Sequence, residues 1–183
     1  MKENVIFTIG HSTHMLDDFI SILKTHSVAM IVDIRTVPRS RHNPQYNLET
    51  LPENLSASGI GYMHMPGLGG LRRPRKDSPN TAWRNLSFRG FADYMQTEEF
   101  EKNLDELIRI SSSARVVLLC AEAVPWRCHR SLIADALHVR GIGVEHIVGS
   151  KTSQHRITPF AKVDGMKITY PSSEDKFVWN KYL

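Results

Sequence analysis

Arg115-Val116-Val117-Leu118-Leu119 is the most apolar stretch of the chain. Four consecutive aliphatic side chains without alternation predict a strand buried on both faces, as in a parallel sheet covered by helices. The segments on either side fit that reading. Val5–Ile9, stopped by Gly10, predicts a first strand; Met30–Val37, closed by Pro38, a second; Ile60–Met65 a third; Val144–Val148 a fifth. Between them Leu16, Phe19, Ile20 and Leu23 fall at helical spacing, with Thr13 as the expected cap. Leu48, Leu51 and Leu55 predict a short helix ending at Gly59. Phe91–Ile110 predicts one long helix with Phe100, Leu104, Leu107 and Ile108 on its stripe. Residues 129–140 predict another, with Leu132, Ile133, Ala136 and Leu137 inward and Gly141 as its stop.

This alternation predicts an α/β fold: a single three-layer domain with a mostly parallel central sheet and helices on both faces. Residues 1–150 make the core domain and 151–183 a C-terminal extension packed on it. In the extension Lys167–Tyr170 reads as an edge strand, and Phe177-Val178-Trp179 as an aromatic tail that docks. With 183 residues, 41% hydrophobic and 23% charged, the chain can bury a core without disulfide or metal staples, and it is too apolar for a disordered segment. No apolar run approaches the roughly 20 residues of a membrane span, and Val5–Ile9 is shorter than a signal-peptide core of about 7–15 residues. Two cysteines make no disulfide framework, so the expectation is a cytoplasmic protein in a reducing compartment.

The net charge of +4 is unevenly placed: residues 35–89 hold nine Lys/Arg against three acids, and the remainder is slightly acidic. A local positive surplus suits an anionic ligand, or equally a solubilising surface. Arg72-Arg73-Pro74-Arg75-Lys76 lies in a long loop without periodicity, just behind Gly67-x-Gly69-Gly70. The glycines read as a turn or as a close approach to phosphate, although they lack the third glycine of the dinucleotide fingerprint.

Ligands of parallel sheets bind beyond the carboxyl ends of the strands. His11 and Ser12 follow the first strand, Asp33 and Arg35 end the second, and Cys120 and Glu122 follow the fourth, with Cys128-His129-Arg130 opening the next helix. The chain here resembles the family called domain of unknown function 488. The resemblance rests on Thr8-Ile9-Gly10-His11-Ser12, Asp33-Ile34-Arg35 with Pro38-Arg39-Ser40, Phe88-Arg89-Gly90-Phe91, and Cys120-x-Glu122 with Cys128-His129-Arg130. It covers roughly residues 5–150 and implies the domain without supplying a reaction.

By their chemistry, Glu122, Asp33 and His11 are candidates to move protons, and each reads alternatively as an ion-pair or helix-start residue. A salt bridge from Glu122 to Arg130 or Arg35 is its structural alternative. Cys128 at a helix N-terminus is a candidate nucleophile, and Cys120 a buried core thiol. The spacing from Cys120 to Arg127 is one residue longer than in the tyrosine-phosphatase loop, and its interior lacks glycine. Arg35, Arg39, Arg41, Arg130 and His129 are candidates to bind an anion, with Arg127 offering a further guanidinium fork. Arg72, Arg73, Arg75 and Lys76 are candidates to bind nucleic acid, with Trp83 and Trp126 as stacking surfaces. No cofactor is expected from these spacings; His11, Cys120, Cys128 and His129 could bind zinc as a minority reading, since none shows the usual metal-ligand spacing.

Two functional readings follow. One is an enzyme, a hydrolase or transferase, acting on a phosphate-bearing substrate such as a nucleotide or nucleic acid. The other is a non-catalytic module that binds nucleotide or nucleic acid. A third reading, a regulatory partner docking through Phe177, Trp179 and Tyr182, rests on the tail alone. The partner is a small anionic ligand or nucleic acid, without a membrane.

Overall fold

A computed structural model describes residues 5–172. Eight strands and five helices alternate in the order β1 (Val5–Gly10), α1 (Leu16–Thr25), β2 (Met30–Asp33), α2 (Leu51–Ser56), β3 (Gly61–His64), α3 (Leu86–Tyr94), α4 (Glu98–Ser113), β4 (Val116–Cys120), α5 (Arg130–His138), β5 (Gly143–Val148), β6 (Lys151–Gln154), β7 (Lys162–Asp164) and β8 (Lys167–Thr169). The main sheet runs β3-β2-β4-β1-β5-β6; its first five members pair in parallel, and β6 closes one edge antiparallel to β5. β4 lies at the centre and every one of its residues is buried.

Strand alternation sorts the core into two layers of packing. Ile6, Val32, Val116 and Leu118 face α3, α4 and α5 through Phe91, Phe100, Leu104, Leu132 and Ile133. Phe7, Ile9, Ile31, Val117 and Leu119 face α1 and α2 through Phe19, Leu23, Leu51 and Leu55. The result is the three-layer α/β arrangement, helices on both faces. Ile168 of β8 and Tyr170 join the α5 side of this core. No helix among the described residues is long and apolar enough to cross a membrane.

Several boundaries differ from expectation. α1 starts at Leu16 with Met15 at its cap position, so Thr13 caps nothing. β2 ends at Asp33 rather than Val37, because the Asp33 carboxylate takes the Arg35 backbone N–H and turns the chain. The expected long helix over Phe91–Ile110 is two. α3 is capped by Asn85 on the N–H groups of Ser87 and Phe88, and α4 restarts at Thr97, whose hydroxyl accepts from the Phe100 N–H. β6 and the β7–β8 hairpin were not anticipated as strands, apart from Lys167–Tyr170, which pairs with β7 rather than with the main sheet. The aromatic tail with Phe177, Trp179 and Tyr182 lies outside the described residues.

Candidate functional site

Five parallel strands deliver their carboxyl ends to one edge of the sheet, and a cavity of about 730 Å³ opens there. Its wall comes from the loops after β1, β2, β3 and β4 and from the turn that leads into α5. Gly10 makes the approach possible: a Cβ there would overlap the Glu122 carbonyl. Of the residues expected to act, the cavity gathers His11, Arg35, Arg39, Glu122, Cys128 and His129, together with Arg127 and Cys120.

Strand alternation splits this gathering in two. On the α1–α2 side, Asp33 is fully buried and accepts from the backbone N–H, Nε and a terminal nitrogen of Arg35, and from the Tyr62 hydroxyl at 2.7 Å. A further bond from the same guanidinium reaches the Tyr46 carbonyl at 2.7 Å. His11 stacks on Tyr46, with ring centroids 4.2 Å apart. Its Nδ1–H donates to the Ser12 carbonyl, so the neutral ring presents the Nε2 lone pair to the Arg35 guanidinium 3.4 Å away. Burial and the adjacent guanidinium cation lower the His11 pKa, against the opposing Ser12 bond. Burial pushes the Tyr62 hydroxyl well above its ordinary range, and its bond to Asp33 adds to that. Tyr46 and Tyr62 complete this half of the site, and no spacing in the sequence pointed to them.

On the α3–α5 side, the 3-10 turn Pro125–Arg127 brings Cys128 back beside the end of β4. Ligand-capable atoms of Cys120, Cys128 and His129 lie within 4.8 Å of one another. Cys120 is held well below the usual thiol range, first because it accepts a hydrogen bond from Cys128, with His129 and Arg130 adding to this against the cost of burial. Burial and the neighbouring Cys120 sulfur push Cys128 the opposite way. Of the two thiols, Cys120 is thus the one held low and Cys128 the one pushed up. The first N–H of α5 is directed at Cys128 Sγ, and the next at the Cys128 carbonyl, so these donors serve the cysteine. The His129 ring is held by an Nε2–H bond to the Leu68 carbonyl at 2.9 Å and by an edge contact with Phe91. Gly70 makes room for it, since a Cβ at that position would fall on the ring.

The remaining cations separate into fixed and free. Arg130 is 1% exposed; it donates to the Glu122 carbonyl at 2.6 Å, and its Nε has no partner among the described residues. The alternative reading of Glu122, a salt bridge to Arg130 or Arg35, does not appear among the described residues: Arg130 meets the Glu122 backbone carbonyl, and the carboxylate is exposed at the cavity. Arg72 lies over the Tyr94 ring at 3.6 Å and donates to the carbonyls of Gly67 and Gly69. Arg75 pairs with Asp77, while Arg73 and Lys76 are exposed; none of these four lines the cavity, and neither does exposed Arg41. Arg39 reaches Glu49 only at 3.7 Å and, like Arg127, is exposed at the cavity. Trp83 packs against Phe88, Phe160 and Tyr170, whereas Trp126 is 68% exposed.

Neither the curated proteins nor the solved structures provide a match to the chain. The model of one family covers residues 15–137, which takes in the Asp33-Ile34-Arg35, Phe88-Arg89-Gly90-Phe91 and Cys120-to-Arg130 segments and leaves Thr8–Ser12 outside. With well over half of its length matched, the chain belongs to the family described as Domain of unknown function DUF488.

Proposed function

We propose that the chain is an enzyme that holds a phosphate-bearing substrate, a nucleotide or a piece of nucleic acid, in the strand-end cavity. The observation that carries this reading is the meeting, in one cavity of about 730 Å³, of two exposed guanidinium groups with a carboxylate and a pair of cysteines. That volume suits a nucleotide-sized ligand. Arg39 and Arg127 grip the anion through guanidinium forks that match phosphate oxygens. Glu122, the one carboxylate among the cavity's described lining residues, moves the proton. Asp33, Arg35 and His11 position the wall of the site, and Cys120 completes its floor. Arg130 and His129 support the loop and the cysteines, and Arg41, Arg72, Arg73, Arg75 and Lys76 contribute a positive field outside the cavity.

A smaller hollow lined by Trp83, Asn85, Phe88 and Trp126 shares Glu122 and Arg127 with the main cavity. An exposed indole beside a free guanidinium suits a base stacked next to its phosphate. The same feature favours a second reading, a nucleotide or nucleic-acid binding module without turnover.

Calorimetric titration with inorganic phosphate and with AMP tests both. The double variant Arg39→Ala/Arg127→Ala should bind at least about tenfold more weakly, since a hydrogen bond to a charged group contributes about 1.5–3 kcal/mol. Glu122→Gln should bind as well as the parent and lose turnover on a panel of phosphate esters. Unchanged binding in the double variant would remove the anion site. Binding by the parent with no turnover on any ester would leave the module.

A further inference from the structure

We propose that Cys120, Cys128 and His129 form a zinc site at the floor of the strand-end cavity. Two sulfurs and one imidazole nitrogen already lie within 4.8 Å of one another, on side chains that all line that cavity. Zinc bonds of about 2.3 Å to sulfur and about 2.0 Å to nitrogen place neighbouring tetrahedral ligands roughly 3.5 Å apart. Cys128 Sγ and His129 Nδ1 are 3.7 Å apart, near that spacing before any ion draws them in.

The histidine is prepared in the manner of a ligand. Its Nε2 faces the Leu68 carbonyl, which can only accept, so the proton of the neutral ring is on Nε2 and the lone pair is on Nδ1, toward the sulfurs. A backbone carbonyl on the far nitrogen is the usual support of a zinc-bound imidazole. The Arg130 N–H directed at Cys128 Sγ gives the sulfur a second support, at 3.5 Å. His11 stays outside the set because both of its nitrogens are engaged, by the Ser12 carbonyl and by Arg35.

Three protein ligands leave a fourth position, and all three side chains line the cavity from which a ligand would reach it. Two cysteines and a histidine with one open position are the donor set of a catalytic rather than a structural zinc. The use of the ion rests on the function proposed above. Water bound at the open position gives a proton to Glu122; the resulting hydroxide forms the new bond to phosphorus as the ester oxygen leaves, and that oxygen takes the proton back from Glu122. Binding of the ion stands independently of this use.

The test is the metal content of the full chain, expressed with zinc, purified without chelators or a histidine tag, and measured by elemental mass spectrometry. One zinc per chain is expected. Cobalt replacement should give thiolate-to-metal charge-transfer absorption with the d–d bands of a tetrahedral ion, and chelation should expose two thiols to a thiol reagent. Cys120→Ser and His129→Gln should lose the ion, whereas Glu122→Gln and Arg127→Ala should retain it. If a ligand variant fails to fold, the cobalt spectrum and thiol protection of the parent decide. Reduced parent protein that takes up no zinc or cobalt overturns the site, and so does uptake unaffected by both ligand substitutions. A parent protein that binds phosphate but takes up no zinc would overturn the zinc site and leave the anion pocket standing; zinc uptake without phosphate binding would do the reverse.

Discussion

Asp33 and Cys120 end neighbouring strands at the same edge of the sheet, yet their surroundings have opposite characters. Asp33 is closed: Arg35 and Tyr62 saturate it, and Arg35 in turn reaches Tyr46. Cys120 is open: its partners are another thiol and an imidazole whose Nδ1 carries no proton in the neutral ring, and all three line the cavity. The buried chain of Thr8, His146, His155, Asp135 and Tyr170 repeats the closed pattern. Thr8 Oγ1–H donates to His146 Nδ1, His146 Nε2–H to His155 Nδ1, and His155 Nε2–H to Asp135, whose other oxygen takes the Tyr170 hydroxyl. Saturated polar groups fix a fold, whereas donor atoms left facing a cavity are available to a ligand.

Breaking the closed half should have the largest effect. Arg35→Ala leaves the fully buried Asp33 with only Tyr62 and backbone support. Removing one member of a buried pair costs about 3–5 kcal/mol, so the urea midpoint should fall steeply. A drop no larger than that of a surface substitution would show that the pair is not what holds this wall.

The histidine chain gives the second comparison, through pH. Burial lowers the His146 pKa from 6.5 to about 4; the charges of His155 and Arg130 act in the same direction, and Asp135 opposes them. The unfolded chain takes up the proton near 6.5 and the folded chain does so only near 4, so the unfolded state binds more protons between those values. The His146 contribution is therefore complete above pH 6.5, declines as pH falls toward 4, and is flat below that. His146→Gln should flatten this part of the profile in chemical denaturation; an unchanged slope would assign it to another group.

A smaller effect is expected where the two halves of the cavity are held by packing. Gly70→Ala places a methyl group on the His129 ring. Overpacking of this kind costs about 1–3 kcal/mol. If the zinc site is correct, displacing the ring should also weaken zinc binding by about 10–100-fold, the effect of disturbing a ligand's support. Stability lost without any change in zinc affinity would confine Gly70 to packing.

How much of this could be read from the sequence follows the same division. The Val116–Leu119 run and the helical stripes were legible because burial writes itself as hydrophobic period. β6 was not, because all four of its residues are exposed and polar chains at a sheet edge carry no such period. The break between α3 and α4 was hidden by apolar residues that continue across it, although Thr97, followed by Glu98 and Glu99, is a readable helix start. The strand-end rule located the cavity. It brought Cys120, Cys128 and His129 together only in a minority zinc reading that also took in His11, because their contact depends on the turn Pro125–Arg127 and not on a ligand spacing. Nor did composition separate Arg35 and Arg130, which are buried, from Arg39 and Arg127, which are exposed.

The smallest expected effect on stability is the sharpest test of the comparison. Glu122 and Arg127 are exposed at the cavity, and among the described residues neither side chain has a hydrogen-bond or ion-pair partner. Glu122→Gln and Arg127→Ala should therefore shift unfolding free energy by no more than about 0.5 kcal/mol, the range of surface positions. Against that flat background, Arg127→Ala should weaken phosphate binding while Glu122→Gln leaves it intact. A group kept for folding shows the reverse order, with stability moving and binding following it. If Glu122→Gln destabilised the chain as Arg35→Ala does, the open half of the site would be closed after all, and its carboxylate would belong to the scaffold.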